Sequence, residues 1–473
     1  MGDSQSLIVV IDLMMNSTYH TDIAIVGAGP MGCATALTFA KKGENVVVLE
    51  ANPNNSKKLG GEWIHPLGVQ ILEQLGFDSI RSVASKYSNG KGFVIFPDDG
   101  TTPIKLFYPQ NQSGLSCEHR LLVKILRERA LSHPNVMFIP FARVIEINKQ
   151  CLTINMYNDR NIKVSAKRII GADGRASMVR KALNNSKIYC NQSGTSKKVI
   201  SYMAGICISD VELPFEGFGH LILGGPGPIT IYRIGSNQVR ILLDVPVHKF
   251  KELKEKTTYL RYAYSPFIPK VLLSSFEKSL STQTVVWSAN QTSSGSIYGN
   301  DNLTLVGDAA GFHHPLTATG MTLGFKDVEC LGRSENFKTF KRERITNTIV
   351  PGLLASLLYG VFAQKDKGAL SIRQSIYKMW RNNPTDCHQT MLLLSGSQTR
   401  IIPFARSFLR VIWIAIIQTL NFTFAKGDWI YLLETFGSLI VWVRLFFKLC
   451  FSRITFHKVE SFYLYWKFLK HHQ

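Results

Sequence analysis

Residues 22–50, DIAIVGAGPMGCATALTFAKKGENVVVLE, constrain the fold more than any other stretch of the chain. The apolar run 23–26 reads as a buried strand, Gly27-Ala28-Gly29-Pro30-Met31-Gly32 spells G-x-G-x-x-G, and residues 33–41 have helical character. A second apolar strand over 45–49 ends in Glu50. In a dinucleotide fold Gly27 makes the tight turn, Gly29 lets a pyrophosphate approach the backbone, and Gly32 lets helix and strand pack closely. Glu50, 18 residues beyond Gly32, is placed to accept from ribose hydroxyls. A ligand-free glycine turn would need neither the strands nor the acid. Gly224-Gly225-Pro226-Gly227 lacks the spacing for a second such motif, so one tightly held nucleotide is expected, with at most a transient second one.

Two later stretches repeat the pattern of a strand ending in an acid. Over 168–180 an apolar strand runs into Asp173-Gly174, and a helix starts after Ser177. Over 303–331, LTLVGDAAGFHHPLTATGMTLGFKDVECL, a strand ends at Gly307-Asp308 and a helix begins near Gly320. Asp308 could hold a sugar hydroxyl, and the free N–H groups at Gly320 and Met321 could face a ligand anion; alternatively Asp308 is only a cap. Strand-like runs at 220–223, 229–234 and 239–245 form a β-rich insertion whose sheet could roof a pocket. The helix over 118–130 places Leu121, Leu122, Ile125 and Leu126 on one face and Arg120, Arg127 and Arg129 elsewhere. Those arginines form a solvated basic face or meet a nucleotide phosphate.

Charge narrows the partners. The formal net charge is +21, and residues 333–473 alone carry 20 Lys and Arg against 7 Asp and Glu. That basic end is also the greasiest, which points to an anionic bilayer surface; with no zinc spacing, basic zipper or RNP-like motif, no nucleic acid and no metal are expected. The eight scattered cysteines fit a reducing compartment. Residues 1–20 read as a lead-in, their apolar run 7–11 being too short for a span. Two long apolar stretches, 404–424 and 429–451, are interrupted by Arg406, Arg410, Glu434, Arg444 and Lys448. Such charges favour two helices lying in one leaflet over a transmembrane hairpin, a packed helical pair being the other reading.

The three motifs GAGPMG, GADG and GD together resemble the FAD-dependent monooxygenases of the para-hydroxybenzoate hydroxylase class. The stretches 219–232 and 239–246, and the loop His314-Pro315-Leu316-Thr317 with Gly320-Met321-Thr322, resemble the squalene monooxygenase family, over roughly residues 20–425. That resemblance implies an α/β chain, mixed α+β, with a Rossmann-like FAD-binding domain (21–185 and 296–332), an inserted β-sheet substrate domain (186–295) and a helical C-terminal region (333–473) whose membrane-binding helices cover 404–451. It implies FAD contacts from Gly27, Gly29, Pro30, Met31, Gly32, Glu50, Ala51, Lys58, Trp63, Arg120 or Arg127, Val144, Asp173, Gly307, Asp308, Gly320 and Met321. It also implies transfer of one oxygen atom from O₂ to squalene or a related polyprenoid through a flavin C4a-hydroperoxide, giving 2,3-oxidosqualene. NADPH would be the reductant, directly or through a reductase. The protein would sit on the cytosolic face of a membrane, the endoplasmic reticulum in a eukaryote or the inner membrane in a bacterium. Departures gather at the substrate end: His65 stands for the usual Gln, Phe93 for a Tyr, Ala318-Thr319 for two glycines and His313 for an Arg. His65 and Phe93 are therefore the candidate catalytic-pocket residues. A hydroxylase of a quinone or aromatic lipid, or a non-catalytic prenyl-binding protein on this fold, are the alternatives.

Overall fold

The computed structural model describes residues 18–54, 59–78, 80, 82, 89–157, 159–185, 198–293 and 298–455. Its first sheet has the order β8 (Val136–Pro140), β2 (Val46–Glu50), β1 (Tyr19–Val26), β11 (Asn161–Gly171), β10 (Cys151–Met156), β9 (Ala142–Asn148), with β17 (Leu303–Leu305) also paired to β11. The strands β8, β2, β1, β11 and β17 run parallel. The runs 23–26 of β1 and 46–49 of β2 carry no polar alternation, as expected of strands covered on both faces. Helix α1 (Pro30–Ala40) packs on one face together with α2 (Pro66–Gln74) and α3 (His119–Leu131), through Leu37, Leu72 and Leu126. Pro30 opens α1 where a missing N–H costs nothing. A short helix, α4 (Met178–Asn185), follows the second motif.

The second sheet has the order β16 (Val286–Thr292), β12 (Lys198–Ser209), β15 (Gln238–Pro246), β14 (Ile229–Arg233), β13 (Phe218–Ile222), β5 (Gly92–Phe96), β6 (Ile104–Phe107). Alternation along β15 sends Ile241 and Leu243 to one face and Leu242 to the other. The first face is covered by α5 (Val247–Glu252), α6 (Lys256–Tyr264) and α7 (Lys270–Thr282), with Leu260, Leu272 and Phe276 buried. These three helices add to the strands expected of the β-rich insertion; Leu272, Phe276 and Leu280 recur at helical spacing. The division at residue 185 does not follow the sheets either. β5 and β6 lie upstream of it, yet β5 pairs in parallel with β13. A three-stranded sheet, β3 (Trp63–Ile64), β7 (Gly114–Ser116), β4 (Asn89–Gly90), joins the two halves.

Helix α8 (Gly320–Arg333) follows β17, and among the described residues five more helices follow it: α9 (Phe337–Ala363), α10 (Lys367–Asn382), α11 (Pro384–Leu394), α12 (Ile401–Lys426) and α13 (Trp429–Thr455). One apolar core runs from Leu221, Tyr232 and Leu242 of the second sheet through Leu357 and Val361 of α9 to Phe404, Trp442 and Phe446 of the last two helices. α9, α12 and α13 are each long and apolar enough to cross a membrane by length and composition. α9 is largely buried, whereas the last two expose one stripe each: Ile402, Leu409, Trp413, Ile417 and Phe424, and Ile430, Leu433, Ile440, Phe447 and Phe451. Strand β1 starts at Tyr19, inside the segment read as lead-in; residues 1–17 lie outside the described residues.

Candidate flavin and substrate site

Strand register brings the three motifs together. Val26 pairs with Gly171, and Gly171 with Leu305, so the turns at Gly27, Asp173 and Gly307 leave the carboxyl ends of three adjacent parallel strands. Ligands of open α/β sheets bind at this edge. Gly27 has φ +101°, and a Cβ there would lie 2.7 Å from the Ala172 carbonyl oxygen. Gly29 faces open space, the approach a pyrophosphate needs. Glu50 accepts from the Ala28 N–H at 2.8 Å and from the Asn52 N–H at 2.8 Å. Met31 packs its side chain against Gly307 and Gly324, which ties the first motif to the third.

Among the described residues, a buried polar atom beside each of the first two motifs lacks a protein partner. Arg127 donates to the Pro53 and Ala28 carbonyls at 3.0 and 3.1 Å, but its Nε has no acceptor. Asp173 accepts from the Met178 N–H through Oδ2 at 2.6 Å, capping α4, while its Oδ1 has no donor. Burial raises the Asp173 carboxyl above the usual carboxylate range against those hydrogen bonds. An orphan donor, an orphan acceptor and open space at Gly29 and Gly320 fit a dinucleotide. Asp308 pairs with Arg175 at 3.1 Å, both partly exposed. Met321 reaches the loop Gly60-Gly61-Glu62, its Sδ lying 3.4 Å from where a Gly61 Cβ would stand. Val144 is buried in β9 and Ala51 follows Glu50 half-buried; Arg120 is exposed on α3, so of the two arginines Arg127 is the one that reaches the first motif. Lys58 lies outside the described residues.

Trp63, His65 and Phe93 lie together. They form an aromatic cluster with Tyr108 and Tyr232, Trp63 lying 5.2 Å from Phe93 and 6.0 Å from Tyr232 between ring centroids. The Thr317 carbonyl can only accept, so the His65 proton sits on Nε2 (2.9 Å), and Nδ1 accepts from the Tyr108 hydroxyl (2.7 Å). Trp63 Nε1 donates to the same hydroxyl at 2.9 Å. Burial pulls the His65 pKa down to about 4, although the Thr317 carbonyl works the other way. His65 is therefore a neutral, fully bonded clamp on the loop before α8, and Phe93 supplies an apolar wall.

Sequence reasoning missed what holds this cluster. Glu62 is buried and accepts from Arg240 Nε and Nη2 at 3.0 and 2.8 Å and from the Tyr232 hydroxyl at 3.1 Å. Burial alone would depress the Arg240 guanidinium; the bonded Glu62 carboxylate raises it above its ordinary value. Tyr108, Arg175 and Arg240 had no local signal, because each bonds across more than 40 positions.

His65 and His220 share a consequence. Burial holds both near pKa 4, His220 despite its bond to the Ile231 carbonyl. A histidine whose folded pKa lies below its unfolded value near 6.5 stabilises the fold above that value and loses the contribution as pH falls toward 4. Each should cost about 2 kcal/mol between pH 7 and 5. Urea unfolding at both pH values checks this, and His65→Gln should reduce the difference by about that amount. A second expectation concerns Ala318, which sits at φ +52° between Thr317 and α8. Relief of left-handed strain outweighs the added chain entropy in Ala318→Gly, for a net gain on the order of 0.5 kcal/mol in the same assay.

The fold is shared with solved structures of low sequence identity. p-Nitrophenol 4-monooxygenase from Pseudomonas putida superposes with a TM-score of 0.65 at 16% identity, covering 81% of this chain and 100% of that one. Anhydrotetracycline hydroxylase from Streptomyces rimosus gives 0.62 at 17% identity, over 80% of this chain and 77% of that one. Residues 22–124 match the FAD dependent oxidoreductases. With the three motifs converging on one strand edge, the molecule is an FAD-dependent monooxygenase. Residues 165–426, more than half of the chain, match the squalene epoxidases, and the chain belongs to that family. It is 26% identical to a squalene epoxidase of Aspergillus fumigatus over 84% of this chain and 87% of that protein. It is 28% identical to a squalene monooxygenase of Panax ginseng (84% and 76%) and 25% identical to the squalene monooxygenase of Mus musculus (80% and 68%).

Proposed function

We propose that this flavoprotein epoxidises squalene or a related polyprenoid alkene drawn directly from a membrane. The observation that carries the reading is the continuous apolar core from the aromatic cluster beneath the second sheet to the exposed stripes of α12 and α13. Helices that part within this core would give an entering hydrocarbon apolar walls from the bilayer to the cluster. The charges on α13 bound an apolar segment from Glu434 to Arg444, about 15 Å long at helical rise, and on α12 the segment from Arg410 to Lys426 is about 24 Å. Both fall short of the ~30 Å hydrocarbon thickness, which supports helices lying in one leaflet.

Under this reading Gly27, Gly29, Gly32, Glu50 and Arg127 hold the adenine-nucleotide end of FAD, and Asp308 with the N-terminus of α8 holds the other end. When bound and reduced, FAD activates O₂ and delivers one oxygen atom to the double bond. The protein's own share is to place the alkene, to exclude water with Trp63, Phe93, Tyr108 and Tyr232, and to offer positive dipole at Gly320 to developing negative charge. His65 moves no proton, since both ring nitrogens are engaged. NADPH supplies the electrons, directly or through a separate reductase. The family relationship supports a membrane site on the cytosolic side, in the endoplasmic reticulum for a eukaryotic protein or the inner membrane for a bacterial one.

Incubating the membrane-bound protein with FAD, NADPH, a reductase, O₂ and squalene should yield 2,3-oxidosqualene. Oxygen uptake without that product would move the assignment to a hydroxylase of a quinone or aromatic lipid; a colourless protein without oxygen uptake would favour a prenyl-binding role. The membrane arm has its own check. Phe424→Ser, Ile430→Ser and Leu433→Ser together strip exposed apolar surface only and should weaken partition onto anionic vesicles at least a hundredfold, at about 1.5 kcal/mol or more per side chain. Sedimentation with unchanged pelleting would sink the anchor reading.

A further inference from the structure

Away from the nucleotide edge, four hydroxyl, amide and imidazole donors converge on one buried carboxylate. Asp244, on β15, accepts through Oδ2 from Ser201 Oγ of β12 at 2.6 Å and from Asn290 Nδ2 of β16 at 2.9 Å, and through Oδ1 from the Tyr359 hydroxyl of α9 at 3.1 Å. The fourth is His314. Its Nδ1 accepts from the Leu316 N–H at 3.3 Å, so its proton sits on Nε2, 3.3 Å from Asp244 Oδ2 and 3.3 Å from Ser201 Oγ. The His314 ring also stacks on Tyr359, with centroids 3.9 Å apart. No polar atom of the five side chains is orphaned among the described residues.

The geometry gives this cluster a direction. His314 opens the turn Pro315–Thr317, Ala318 follows in its left-handed conformation, and α8 begins at Gly320 facing open space. His65 grips the same loop further on, at the Thr317 carbonyl. The loop that aims the first N–H groups of α8 is thus held from both ends, by His65 on the cofactor side and by Asp244 from the roof sheet and α9. A fully satisfied buried network of this kind fixes one arrangement, because every alternative leaves a buried polar group unpaired.

We propose that Asp244 is a positioning residue for the oxygenation reaction: through His314 and Tyr359 it sets the loop that points the N-terminus of α8 at the flavin. This rests on the reading that the flavin end of FAD lies against that N-terminus. The Asp244 carboxylate is taken up by four protein side chains and acts through the loop.

The test uses the full-length holoenzyme with Asp244→Asn, Tyr359→Phe and, as a control for the flavin's location, Asp308→Ala. Tyr359→Phe removes one hydroxyl and keeps the ring stack, so it carries the test if Asp244→Asn does not fold. Expected for both network variants are an FAD dissociation constant raised about tenfold or more, a shifted visible flavin band and a lowered kcat, with KM for the alkene within about twofold. A purely structural role would lower the melting temperature and leave the spectrum and affinity of the folded fraction as in the wild type, which would overturn the proposal. If Asp308→Ala weakens FAD binding while the folded network variants do not, this proposal falls alone. If Asp308→Ala also changes nothing, the placement of the flavin falls with it.

Discussion

Gly32→Ala is expected to give a folded but colourless protein. A Cβ at position 32 would lie 1.8 Å from the Gly27 carbonyl oxygen, backbone that has nowhere to move because Gly27 is itself pressed against Ala172. The only relief is to push the N-terminus of α1 away from β1, which opens the turn through which the pyrophosphate meets the backbone. FAD affinity should fall at least about a hundredfold, equivalent to roughly 3 kcal/mol. Flavin released on denaturation, measured against protein, checks this. Retention of stoichiometric FAD in Gly32→Ala would show that the glycine turn is not the nucleotide site.

Glu62→Ala is expected to cost about 3–5 kcal/mol, the range for removing one partner of a buried ion pair, because it leaves the Arg240 guanidinium in the interior without its carboxylate. The loss reaches beyond stability. Glu62 ties the loop after Gly61 to the second sheet and also takes the Tyr232 hydroxyl, so its removal frees the ring beside Trp63. Glu62→Leu combined with Arg240→Met should recover most of the stability, since an apolar pair of similar volume needs no compensation. Denaturant unfolding of the singles and the double measures the coupling. Additive losses would mean that the two groups do not act as a pair.

The nucleotide edge was legible because each of its pieces is local. Gly27, Gly29, Gly32 and Glu50 fall within one strand–helix–strand unit, and Asp173 and Asp308 each end a strand whose apolar run is plain in the sequence. The parallel register that joins them was implied only by the recurrence of the pattern. The pocket was less legible. Trp63 is a cofactor contact by resemblance alone, and nothing near it in the sequence shows that its indole bonds Tyr108, 45 positions on. Nothing near position 65 announces that Tyr108 will saturate His65, or that Thr317, 252 residues away, will fix its tautomer. The hairpin β5–β6 reads as part of the nucleotide-binding segment because β13, the strand that β5 joins, is supplied from more than 100 residues downstream. Helix α9 is as apolar as a membrane span but is consumed as core, and only packing distinguishes it from α12 and α13.

Transfer of one atom of O₂ to a membrane-borne alkene is tested by mass spectrometry after turnover of squalene under ¹⁸O₂. The expected product is 2,3-oxidosqualene carrying a single ¹⁸O atom, formed only with FAD-loaded protein and reductant. Oxygen consumption that ends wholly in hydrogen peroxide, or an epoxide without label, would contradict it.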